Sequence, residues 1–321
     1  MNYEEVEYLI TNFGKTLLET NDNWDFIELT ETEDAYGINI GVYDPQLAFE
    51  SFEKHHFAEK NSEADQFIGQ VLEQEGESIF SFDPVPVFAM QSELSAEQRP
   101  VIDAMAQGQN PPQKMGDSIS GFAGFGGRGA FGAIVLDSQD NWYCLTAYHV
   151  VDVGARGVGH SVFGPWGTNN VIGELALYRD DDFADFALIH ISDRSKVESG
   201  SVCSGDIALS GKMGSLPVMG DPVSICSSAD RRLKRGTVKS PICCARVGRS
   251  GRIVTGLVHV TDLAVPGDSG SVVKNENGDV VGLVLVDRGV EVSFFMPIEK
   301  LTETDQFVNP RRIPFQFKKF I

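Results

Sequence analysis

Residues 121–304 are a succession of short β-prone runs broken at turn residues, and this rhythm restricts the fold more than any other property of the chain. The runs cover 131–136, 142–146, 171–177, 186–191, 223–226, 236–243, 253–263, 271–274, 280–286 and 292–295. Almost no helical period interrupts them, which predicts an all-β sandwich or a pair of barrels. Asn275-Glu276-Asn277-Gly278 marks a hairpin between two of the runs. Pro297-Ile298-Glu299-Lys300-Leu301 reads as a closing helix with proline in its first turn.

One turn carries chemistry. Pro266-Gly267-Asp268-Ser269-Gly270-Ser271 sets a serine between two glycines, directly before the apolar pair Val272-Val273. A nucleophilic serine must stand clear of its neighbours, with backbone N–H groups aimed at the oxygen that becomes negative during acyl transfer. The same tetrapeptide also suits an ordinary turn between strands. Two further stretches bear on the choice. Cys144-Leu145-Thr146-Ala147-Tyr148-His149 is an apolar strand ending in a histidine, and Asp185 heads the apolar strand Phe186-Ala187-Leu188-Ile189. Asp182 starts a second Asp-Phe-Ala but does not run into an uninterrupted strand, so Asp185 is preferred.

Leu-Thr-Ala-Tyr-His-Val, Asp-Phe-Ala-Leu-Ile and Gly-Asp-Ser-Gly-Ser, in the order His, Asp, Ser, resemble the signature blocks of trypsin-like (chymotrypsin-fold) serine peptidases. The bacterial, intracellular-looking members without the usual disulfides are the most similar. Gly129-Ala130-Phe131-Gly132-Ala133-Ile134-Val135 is similar to that family's glycine-rich first strand. The resemblance implies a mainly β, two-barrel peptidase domain over 122–304. It implies that Ser269 is the nucleophile, that His149 takes its proton, and that Asp185 fixes the imidazole tautomer. It places the oxyanion hole at the N–H groups of Gly267 and Ser269. The pocket floor falls on Leu263, with Leu285 on the wall and Asp287 at the rim, and an apolar floor favours a hydrophobic substrate residue. In secreted relatives the aspartate equivalent to Asp268 pairs with an Ile- or Val-led terminus freed by cleavage. Here Arg128 precedes Gly129-Ala130-Phe131, which does not look like such a terminus.

Charge divides the chain. Residues 1–120 contain 24 Asp and Glu against 5 Lys and Arg, a net of −19, whereas residues 121–321 are nearly balanced at −1. That asymmetry marks a boundary between domains and argues against a nucleic-acid partner, whose phosphates would be repelled. The first third resembles no family. Tyr3, Val6, Leu9, Ile10, Phe13, Leu17 and Leu18 recur at helical spacing, so the chain is expected to open with an amphipathic helix. Strands are expected over 24–29 and 36–43, and a capped helix from Ser62. This makes residues 1–107 a small acidic α+β domain that regulates or recruits a protein partner. Residues 108–121, with Pro111-Pro112 and scattered Gly, Ser and Asn, read as a linker, and 305–321 as a basic tail.

The opening residues lack a signal peptide's character, and no apolar run reaches the ~18–20 residues that a membrane span requires. Of five cysteines two are adjacent, and Val150-Val151 follow His149 where secreted relatives place a bridged cysteine, so the thiols are expected reduced and the protein cytoplasmic. Cys243-Cys244 lack two further ligands at zinc spacing, and His55-His56 would point apart on a helix; no metal and no cofactor are expected. The expected activity is that of a serine endopeptidase acting on a protein or peptide, with no nucleic-acid or membrane partner. The alternative is an inactive pseudoprotease whose double barrel binds proteins.

Overall fold

The computed structural model describes residues 2–20, 24–31, 36–42, 80–84, 112–121, 128–152, 157–165, 168–247, 252–261, 263–287, 293–309 and 313–321. The chain divides into two units, residues 1–88 with 239–259, and residues 89–238 with 260–321. The architecture is mainly β, with a small α/β region contributed by the N-terminal residues. Among the described residues no helix is long and apolar enough to cross a membrane.

The first unit opens with the expected helix, Tyr3–Thr20. Its start is fixed by a reciprocal cap: Asn2 Oδ1 accepts the Glu5 N–H, and Glu5 Oε2 accepts the Asn2 N–H, both at 2.9 Å. Val6, Leu9, Ile10, Leu17 and Leu18 are buried, as the helical spacing requires. The strands Trp24–Glu31 and Tyr36–Val42 pair antiparallel, and Phe80–Pro84 adds in parallel to Tyr36–Val42. On the other side of Trp24–Glu31 lies the strand Leu233–Val247, with Ile27 opposite Cys244 and Glu28 opposite Cys243. The first unit therefore depends on a distant stretch of sequence, which the charge boundary near residue 120 did not reveal. Buried Glu28 accepts Asn39 Nδ2 at 2.9 Å and faces His259 Nδ1 at 2.5 Å inside this unit. The expected helix from Ser62 and the pair His55-His56 lie outside the described residues.

In the second unit six strands run in the order Phe317–Phe320, Ala133–Asp137, Trp142–Thr146, Asp185–His190, Val171–Asp180 and Ser161–Phe163. A further set joins Pro222–Cys226, Val272–Lys274, Val280–Asp287 and Ser293–Pro297. The hairpin at Asn275–Gly278 forms as its sequence signals: Gly278 holds φ at 78°, and the Asn275 side chain accepts the N–H groups of Asn277 and Asp279. Pro297 precedes a single 3-10 turn, Ile298–Thr302.

Three expectations are corrected here. Part of the supposed linker is structured: Gln113–Met115 and Ser118–Ile119 are short strands paired with Val197–Ser201 and Gly129–Ala130, and Gln113, Ile119 and Ser120 are almost completely buried. Strands of two or three residues carry too little periodicity to be read against their Gly and Ser content. The supposed tail of 305–321 ends in the strand Phe317–Phe320, which pairs with Ala133–Asp137 and buries Phe320, while Lys318 bonds Asp140 at 2.7 Å. A register shift between Phe317 and Lys319 leaves both lysines exposed while Phe320 is buried, a pattern that composition alone reads as a basic tail. The thiols are not all reduced, because Cys203 and Cys226 form a disulfide with a Cα–Cα distance of 5.7 Å. The two are 23 residues apart with no local pattern linking them, so spacing gives no signal. Cys144, Cys243 and Cys244 are buried thiols.

Closing a loop of this size stabilises a fold by roughly 3–4 kcal/mol. The double variant Cys203→Ser/Cys226→Ser should therefore unfold at distinctly lower denaturant than the wild type. Non-reducing peptide mapping should recover the two segments linked. An unlinked map with unchanged stability would contradict the pairing.

Candidate active site

His149 is not at the end of its strand but one step beyond it. Trp142–Thr146 gives way to extended Ala147, and a single helical turn, Tyr148–Val151, follows. Buried Val150 and Val151 anchor that turn, and Tyr148 stacks on Tyr178 with ring centroids 4.1 Å apart. The imidazole itself stays about one-third exposed, at 34 %. The neighbouring strand Asp185–His190 pairs Ala187 with Thr146, which sets its first residue beside the helical turn.

Asp185 is only 2 % exposed, and both its oxygens face His149. Oδ2 lies 3.0 Å from the ring Nδ1, and Oδ1 accepts the His149 backbone N–H at 3.1 Å. A carboxylate there favours the tautomer protonated at Nδ1 and leaves Nε2 able to accept a proton. The loop before Asp185 is braced by other acids. Asp181 Oδ1 accepts the N–H groups of Phe183 and Ala184 at 2.8 and 2.9 Å, while Arg179 bonds Asp181 at 2.6 Å and also Glu303. Lys300 donates to the Phe183 carbonyl, and its amine is pulled down to about 8 by burial first and by the charge of Arg179 second. Asp182 is half-buried and precedes the strand, whereas Asp185, its first residue, is the one that bonds the imidazole Nδ1.

Two glycines shape the serine turn. Gly267 has φ 103°, a region that L side chains rarely adopt. Gly270 has φ 89°, and a Cβ there would lie 2.3 Å from Thr146 Oγ1 and 2.9 Å from Ala147 N. Only hydrogen fits, and the turn is thereby seated against the residues that lead into His149. Ala130 N–H clamps the Ser269 carbonyl at 2.8 Å. The Ser269 hydroxyl donates to the Leu285 carbonyl at 3.1 Å.

Main-chain donors around the turn separate into two groups. Asp268 N–H reaches Val265 O, Gly270 N–H reaches Val284 O, and Ser271 N–H reaches Asp268 O, at 2.8–2.9 Å. Among the described residues, neither Gly267 N–H nor Ser269 N–H has a protein acceptor. These are the two donors named from the sequence.

Leu263 and Leu285 are each 1 % exposed. The Asp287 side chain lies outside the description, and its backbone is paired with that of Ser293, whose Oγ accepts Ala264 N–H at 3.1 Å. Sequence reasoning missed the Leu285 carbonyl and Met296, whose Sδ lies 3.4 Å from Asp185 N. Neither had a signal, because a carbonyl contact and a thioether contact depend on strand register and not on residue type. Among the described residues, His190 packs its ring on Tyr143, and His160 spans the carbonyls of Gly157 and Val151 at 2.6 and 2.8 Å.

Residues 131–283, which hold all three residues of this constellation, match the family model described as a trypsin-like peptidase domain. The chain resembles Protease A of Thermobifida fusca at 22 % identity and a TM-score of 0.47, over 61 % of this chain and 97 % of that one. A chymotrypsin of Cellulomonas bogoriensis aligns at 20 % identity and 0.45, over 61 % and 97 %. A Nocardiopsis protease aligns at 17 % and 0.45, over 61 % and 98 %. No curated protein matches the chain. Likenesses this distant leave activity and specificity to be argued from the residues themselves.

The geometry separates Asp185 from Asp182 in a measurable way. Asp185→Asn should lower turnover by roughly 10⁴, because an amide favours the wrong tautomer, while Asp182→Asn should change it by less than about threefold. Both should keep wild-type melting temperatures. A reversed order would place the wrong aspartate at His149.

Proposed function

We propose that the chain is a serine endopeptidase working through His149, Asp185 and Ser269. The observation that carries this reading is the Asp185–His149 bond at 3.0 Å beside a glycine-framed serine. In the proposed reaction the Ser269 hydroxyl turns from the Leu285 carbonyl towards His149. Nε2 takes its proton as Oγ attacks the peptide carbonyl, and the resulting oxyanion sits between the N–H groups of Gly267 and Ser269. His149 then gives the proton to the departing amine, which leaves an acyl-enzyme. Water repeats the sequence, releasing the acid and restoring Ser269. Asp185 stays ionised throughout and stabilises the imidazolium that forms twice per cycle. No metal or cofactor takes part. The substrate is a protein or peptide, and buried Leu263 and Leu285 favour a hydrophobic residue before the cleaved bond.

A fluorophosphonate probe tests the reading without a known substrate. Wild-type protein should label at Ser269, and Ser269→Ala or His149→Ala should abolish both labelling and cleavage of a peptide library. Cuts should fall after apolar residues. Cleavage after Arg and Lys would move the specificity to Asp287, and equal activity in Ser269→Ala would leave only the binding-module reading.

We further propose that the acidic N-terminal residues restrain the peptidase through charge, a partner relieving the restraint. A net of −19 over residues 1–120 repels itself unless cations lie near. The basic stretch 231–235 is one source, although Arg231 already pairs with Asp117 and Lys234 with Asp230 and Asp268. Deleting the N-terminal residues is a poor test, because Leu233–Val247 would lose its pairing with Trp24–Glu31. Salt is a cleaner one, since the screening length falls from about 10 Å at 0.1 M to about 3 Å at 1 M. Activity of the full chain on a small peptide should rise across that range. Flat or falling activity would make the acidic region a recruiting module only.

A further inference from the structure

We propose that Lys234 and Arg128 are positioning residues for the Gly267–Ser269 turn, so that the chain's own cations hold the oxyanion donors in place and no amino terminus freed by cleavage is needed. This rests on the peptidase reading above.

Asp268 sits between the two proposed oxyanion donors, and it is completely buried at 0 % exposure. Such a carboxylate is tolerated only if it is both hydrogen-bonded and charge-compensated. Its Oδ1 accepts Ser227 Oγ at 2.7 Å and Ala229 N–H at 3.0 Å. Its Oδ2 accepts Val265 N–H at 3.0 Å and faces Lys234 Nζ at 3.4 Å. The carboxylate therefore ties the serine turn to segment 227–229, and Lys234 supplies the direct positive charge. That ammonium is only 17 % exposed, so solvent screens the pair weakly.

Arg128 braces the same assembly from the other side. Its guanidinium donates to the carbonyls of Ser228 and Ala229, both at 2.9 Å. Its Nε lies 3.5 Å from where a Gly267 Cβ would be, so the side chain packs against the first oxyanion donor itself. Burial pushes the Arg128 guanidinium down, and the charges of Asp268 and then Asp230 push it back up. Ser228 Oγ completes the bracket by donating to the Gly267 carbonyl. Lys234 also pairs with Asp230 at 3.6 Å, so the charged groups about Asp268 are Lys234, Arg128 and Asp230, every one from within the chain.

The experiment uses the full chain, shown to be uncut by intact mass. It follows fluorophosphonate labelling rate, kcat and KM on a peptide, and amide hydrogen exchange of the segment 263–271. The variants are Lys234→Met, Lys234→Arg, Arg128→Met and, as a control, Lys318→Met on the exposed Asp140 pair. Losing one oxyanion donor lowers turnover by about 10²–10³, so partial misplacement should slow labelling and kcat by about ten- to a hundredfold, with KM little changed. Exchange at 263–271 should quicken in Lys234→Met, and Lys234→Arg should restore all three readings. Arg128→Met should act in the same direction if Lys234→Met fails to fold. Wild-type activity in both methionine variants would overturn the proposal. Labelling that appears only after the chain is cut would overturn it too. If neither cut nor intact chain labels, the peptidase reading fails by itself. The positioning claim then stands or falls on whether exchange at 263–271 responds to Lys234→Met and recovers in Lys234→Arg.

Discussion

The missing side chain of Gly270 is the constraint on which the site depends. Thr146 Oγ1 stands where any Cβ would have to go, 2.3 Å away, so the serine turn can approach the His149 segment only with glycine at that position. Thr146 is itself fixed by its hydroxyl bond to the Ala130 carbonyl at 2.8 Å, and Ala130 N–H in turn holds the Ser269 carbonyl. Three segments far apart in sequence are locked at one point by two hydrogen bonds and a steric exclusion. A larger residue at 270 would separate Ser269 from His149, and in the proposed reaction a displacement of about 1 Å is enough to cost two orders of magnitude in rate.

Around that point two carboxylates are buried for different ends. Asp185 gives both oxygens to His149, so its charge orients an imidazole that remains partly open to solvent. Asp268 gives its oxygens to four donors from surrounding segments, Ser227, Ala229, Lys234 and Val265. Either aspartate, left without its partners at this depth, would cost several kcal/mol. The satisfied bonds are therefore what allows both charges to be held at this depth. The Ser269 hydroxyl, by contrast, points at a main-chain oxygen, and a rotation about one bond frees it.

Much of this was legible in the residues. Every one of the ten β-prone runs corresponds to a strand, because alternation and β-branched content are local properties. His149, Asp185 and Ser269 stood out because their neighbours are distinctive. What stayed hidden depends on long-range geometry. The strands Gln113–Met115 and Ser118–Ile119 are too short to show a period. The C-terminal strand was masked by its own lysines, and the Cys203–Cys226 bridge by the 23 residues between its ends. The partners of Asp268 were invisible for the same reason: Lys234 lies 34 residues away and Arg128 much farther, and nothing in their surroundings distinguishes them from surface cations.

The most direct test of the account is a crystal structure of the protein treated with a peptidyl boronate, which mimics the tetrahedral intermediate. The account predicts boron bonded to Ser269 Oγ. One boronate oxygen should lie about 3 Å from both Gly267 N and Ser269 N, and another should face His149 Nε2. An adduct whose oxygens avoid those two N–H groups, or no adduct at Ser269 despite boronate in the crystal, would contradict it.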